Sequence, residues 1–83
     1  MRRYIRDPNT GRPLARIEPR TDEQGNSWWT ASILDPEQFP LTCHLLAVRR
    51  FYTSDHGANL GPAWAAAEQH AVAWAMDYLE RKA

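Results

Sequence analysis

Only one cysteine, Cys43, occurs in the 83 residues. A single thiol excludes an internal disulfide framework and any multi-cysteine zinc site. No run approaches the roughly 20 apolar residues that span a bilayer. The opening Met1-Arg2-Arg3-Tyr4-Ile5-Arg6-Asp7-Pro8 also lacks the apolar segment of a signal peptide. A reduced, cytoplasmic setting without membrane contact is therefore expected. Glycine is scarce, at four residues, and no Gly-rich phosphate loop is present. Metal-ligand spacings and hydrolase elbows are missing too, so neither a cofactor nor a catalytic role is expected. Lysine is nearly absent: nine of the ten basic residues are arginine.

What is present describes one globular domain. The chain is 43% hydrophobic and 24% charged, and four Trp, three Tyr and two Phe supply a core for so short a sequence. Small domains without a disulfide or metal often gain stability by associating, so a homodimer is expected. Net charge is zero but unevenly spread. Residues 1–20 hold six arginines against Asp7 and Glu18, whereas residues 21–47 hold Asp22, Glu23, Asp35 and Glu37 with no Lys or Arg.

Residues 2–7 alternate in the manner of a short strand. Asp7-Pro8-Asn9-Thr10-Gly11 is turn chemistry, because Pro presets φ while Asn and Gly tolerate the left-handed region. A second strand is expected over 14–19, a polar turn over 21–26, and a third strand over 27–34, rich in aromatic and β-branched residues. Pro36 and Pro40 cannot donate to a ladder and close that strand. Residues 41–52 read two ways. As a helix opened by Pro40, they align Leu41, Leu45, Val48 and Tyr52, but Phe39 would occupy the cap position, where Ser, Thr, Asp or Asn is preferred. A strand over 42–52 is the simpler continuation. From 62 to 82 a helix is expected: Pro62 suits a first turn, and no later Gly or Pro interrupts an alanine-rich amphipathic pattern. Trp64, Ala67, Ala71, Ala75, Tyr78 and Leu79 share its apolar face, with Glu68 as an intruder. The expected fold is α+β, a three- or four-stranded antiparallel meander with the C-terminal helix packed on one face.

Adjacent strand residues point to opposite faces, so one of Trp28 and Trp29 packs under the helix and the other lies on the open side. Arg2, Tyr4, Arg6 and Arg16 join that indole as the candidate binding face, since Trp, Tyr and Arg dominate contact hot spots. Ala67-Ala71-Ala75 is a close-approach stripe, read first as packing on the chain's own sheet and second as a dimer seam. Cys43 and His44 are neighbours and would point apart on a strand. Cys43 reads as a small buried hydrophobe, and His56 and His70 fall in a loop and on the polar helix face.

The stretch Asp22-Glu23-Gln24-Gly25-Asn26-Ser27-Trp28-Trp29-Thr30-Ala31-Ser32-Ile33-Leu34-Asp35-Pro36, with Ala65-Ala66-Ala67-Glu68 later, resembles the HicB antitoxin family over about half the chain. Two departures are the longer link over 37–61 and the missing counterpart of the family's C-terminal DNA-binding segment. The resemblance implies a non-enzymatic protein of a mobile element that binds and blocks a partner. The expected function is protein recognition, inhibitor- or antitoxin-like. Nucleic-acid binding through the same arginines is the alternative, and pI 6.8 weighs against it.

Overall fold

The computed structural model describes residues 2–35, 37 and 44–82. Pro36 and residues 38–40 of the proline-bounded exit, Cys43 and the first residues of the 42–52 run lie outside them. Four strands, β1 (Arg3–Arg6), β2 (Pro13–Thr21), β3 (Ser27–Leu34) and β4 (Leu45–Tyr52), form one antiparallel sheet in chain order. A 3-10 turn, Thr53–His56, leads to α1 (Leu60–Lys82), which covers one face. This is the expected α+β meander with four strands, and 45–52 is strand. No helix among the described residues is long and apolar enough to cross a membrane.

The two hairpin turns are built by aspartates. Asp7 Oδ1 accepts the Asn9 amide at 2.8 Å, and Asp22 Oδ1 accepts those of Gln24 and Asn26 at 3.0 and 2.9 Å. Gly25 takes a φ of 87°, which a side chain would resist. The Asn26 side-chain amide, which donates to Asp22 Oδ2 at 3.0 Å, is the largest influence holding the Asp22 carboxyl below the usual carboxylate range, with the backbone amides of Asn26, Gln24 and Gly25 adding to it. A carboxyl depressed in the folded state favours folding above its unfolded value, near pH 4, and loses that contribution as pH falls through the folded value. Acidification below about pH 4 is therefore expected to loosen this turn first. The amide shifts of Gly25 and Asn26, followed by NMR, should titrate with Asp22 and stop doing so in Asp22→Asn.

The core lies between sheet and helix. Ala15 and Ile17 of β2, Trp29, Ala31 and Ile33 of β3, and Phe51 of β4 face Ala67, Ala71 and Ala75 of α1. Burial of the alanine stripe against the chain's own sheet follows the first of its two readings. The small side chains let the helix backbone approach closely, and Trp64 and Trp74 fill the flanks, 4.9 Å from Trp29 and 6.2 Å from Phe51 between ring centroids. Glu68, the charge inside the apolar arc, pairs with Arg3 at 3.5 Å. The helix starts two residues earlier than the sequence suggests, with the Ala63 amide donating to the Asn59 carbonyl. Pro62 still falls in the first turn, where a missing N–H costs nothing.

Candidate functional site

Register decides what the open face of the sheet presents. Arg20, Trp28 and Tyr52 form one row across β2, β3 and β4, and Glu18, Thr30 and Arg50 form the next. Tyr4, Arg16, Ser32 and Val48 form a third, starting on β1. The open face carries Arg2, Tyr4, Arg6 and Arg16 with Trp28 as its indole, while Trp29, at 4% exposure, is the one under the helix. Its parity explains this, because it shares a face with Ala31 and Ile33, while Trp28 alternates with Thr30 and Ser32. Trp28 does not sit in the row of Tyr4, which lies beside Arg16 and Ser32. Its row neighbours are Arg20 and Tyr52, on the β4 side.

The electrostatics centre on Glu18. Its side chain is only 7% exposed, and Arg20 and Arg2 approach its carboxylate at 2.9 and 3.1 Å. The Nε of Arg16 lies 3.5 Å away, an ion-pair contact whose geometry is not a hydrogen bond. Tyr4 first, and then Glu18, hold the Arg2 guanidinium above its ordinary value through hydrogen bonds. Two further arginines lie on rings: Arg50 is 4.8 Å from the Trp28 centroid, and Arg6 is 5.4 Å from that of Tyr4. Trp28 is itself fixed by donating from Nε1 to Thr30 Oγ1 at 3.0 Å and by Tyr52 at 5.5 Å. Arg50 additionally donates to the Tyr52 hydroxyl at 3.3 Å.

With Arg2, which precedes β1, these residues of the open face thus comprise five arginines and one carboxylate, a net charge of +4 on a chain whose total is zero. Between Arg16, Arg20, Trp28 and Arg50 runs a shallow groove of about 590 Å³. Ser32 and Leu34, at the other end of β3, are buried, so on β3 itself the accessible part is the end carrying Trp28. Sequence reasoning missed Glu18, Arg20, Arg50 and Tyr52. Alternation within β2 and β4 carries the signal, but only the strand order puts these residues beside Trp28.

The two histidines, unconnected in the sequence, meet. The Tyr52 carbonyl can only accept, so His56 Nδ1 donates to it at 2.7 Å, and His56 Nε2 shares a hydrogen bond with His70 Nδ1 at 2.9 Å. The pair ties the 3-10 turn to α1. Among the described residues no group of three His, Cys, Asp or Glu side chains is placed to hold a metal ion. No family model, curated protein or solved structure matches the chain.

Proposed function

We propose that this chain is a non-catalytic binding module whose open sheet face holds single-stranded nucleic acid. The observation that carries this reading is the concentration of Arg2, Arg6, Arg16, Arg20 and Arg50 around two aromatic centres, Tyr4 and Trp28, against Glu18 alone. The neutral total weighs against nucleic acid only while the charges are treated as mixed. Segregated onto one face, they make a local cationic field. Guanidinium groups reach phosphate bidentately and stack on bases, and aromatic rings add sequence-tolerant stacking. A flat sheet suits unpaired bases, whose faces are free, better than a duplex groove, which admits a helix or a two-stranded ribbon. Arg50 over Trp28 and Arg6 over Tyr4 leave two modes: a base stacks on the guanidinium plane, or it displaces the arginine onto a phosphate.

The test is fluorescence anisotropy with labelled single-stranded and duplex DNA and RNA over a range of salt. Single strands should bind better than duplexes. The logarithm of the affinity should fall with that of salt with a slope of about −2 to −3.5, for three to five phosphates neutralised at about 0.7 each. Arg50→Gln should reduce that slope by about 0.7. Absence of binding even at low salt would reject the proposal. It would leave recognition of an acidic protein surface by the same face, the inhibitor-like reading that the sequence favours.

A further inference from the structure

We infer that β4 is the self-association edge of this protein, pairing antiparallel with β4 of a second copy to make one continuous eight-stranded sheet. The two outer strands of the meander differ in kind. β1 has four residues, is flanked by charge at Arg2, Arg3 and Arg6, and shifts register between Ile5 and Arg6. Short length, charge and irregularity are the devices that blunt an edge. β4 has eight residues and no proline, and no other strand among the described residues pairs with its outer side.

Its two arginines would ordinarily protect it, but both are drawn back onto rings of their own protomer. Arg49 lies 5.0 Å from the centroid of Phe51, and Arg50 lies 4.8 Å from that of Trp28. Leu46 and Val48 remain on the edge at 49% and 56% exposure, two of the four large hydrophobic residues that stand out into solvent among the described residues. On the helix side, Phe51, Trp74 and Tyr78 form a chain of ring contacts along the same margin, with Trp74 and Tyr78 only half-buried. The edge therefore has apolar surface both above and below its backbone.

The occupant is a second copy because the strand complements itself. A two-fold axis normal to the sheet places residues of one face opposite each other. If it is centred on Val48, the two Val48 side chains meet, Leu46 stands opposite Arg50, and Ala47 opposite Arg49. No arginine then faces an arginine. Centring on Arg49 or Arg50 would oppose like charges directly, which destabilises a pair, so charge fixes the register near Val48. In this arrangement both open faces lie on the same side. The inference does not depend on what those faces bind.

Sedimentation or light scattering on the full chain tests this, over protein concentrations from about 10 μM to 1 mM, which bracket the weak associations expected of a small interface. The mass is expected to rise from 9.6 kDa towards twice that value. Val48→Lys, alone and with Leu46→Lys, should hold it at the monomer mass while the far-ultraviolet circular dichroism is unchanged. A mass that stays monomeric throughout, or a folded lysine variant that still dimerises, would overturn the inference. Should the variants not fold, hydrogen exchange on the natural chain decides. The β4 amides that point away from β3 should become protected with rising concentration, and unchanged exchange there rejects the interface.

Discussion

Replacing Glu18 by Gln should weaken the fold and strengthen anion binding at once. The carboxylate is nearly buried and faces Arg2, Arg16 and Arg20, so its removal leaves three guanidiniums without their counter-charge. Removing one member of a fully buried ion pair costs about 3–5 kcal/mol. Here Arg2 and Arg20 are more than half exposed and regain water, so the expected cost is about 1–2 kcal/mol. The same change raises the charge of the open face by one at the centre of the groove. Affinity for a single-stranded oligonucleotide should then rise about three- to tenfold at low salt and converge on that of the natural protein as salt screens the difference. Thermal melts and anisotropy on the same preparation check both halves. A less stable variant with unchanged or reduced affinity would mean that Glu18 helps to shape the site rather than masking it.

The largest loss of stability is expected at Trp29. Its ring packs 4.9 Å from Trp64 and forms the centre of the sheet–helix contact. Truncating a buried aromatic to alanine costs about 3–5 kcal/mol through lost transfer energy and the cavity left behind. A domain of this size commands few kcal/mol in total. At about 4–8 °C per kcal/mol, Trp29→Ala should lower Tm by about 12–40 °C or abolish the transition. Trp29→Phe should be far milder, about 1–2 kcal/mol, because the indole Nε1 is buried with no acceptor among the described residues, so no hydrogen bond is lost with it. Trp28→Ala, one residue away, should barely move Tm and should instead weaken nucleic-acid binding. Melting curves of the three variants separate the roles of the adjacent indoles. Equal destabilisation by Trp28→Ala and Trp29→Ala would contradict the register described above.

Much of this architecture was legible because its signals are local. Asp7-to-Gly11 and Asp22-to-Gly25 specify turns through side chains that bond the backbone within four residues. The helix declares itself through Pro62 and its alanine spacing. The assignment of the indoles was also within reach, since Trp29 alternates with Ala31 and Ile33 while Trp28 alternates with Thr30 and Ser32. The site was not legible as a whole, because it is a property of rows across the sheet. Arg20, Trp28 and Tyr52 are neighbours only once the strand order is known. Arg16, Glu18 and Arg20 alternate along β2, but that Arg2 joins them follows from the pairing of β1 with β2, which no periodicity announces. Composition failed in a related way: a total of zero concealed a face of +4.

The strand order has a consequence for how the chain is made. Because every strand pairs with the one before it, a ribosome delivers each new strand to a partner already present, and each closure spans a short loop, the arrangement that favours rapid folding. The helix emerges last. Until its alanine stripe docks, the sheet shows water a face of Ala15, Ile17, Trp29, Ile33 and Phe51, a patch of the kind that drives aggregation. The nascent meander thus has its internal strand pairing in place before it is safe in its surface. Any lesion that delays the 23 residues of α1 should show itself in lost soluble protein before it shows in a lowered melting temperature.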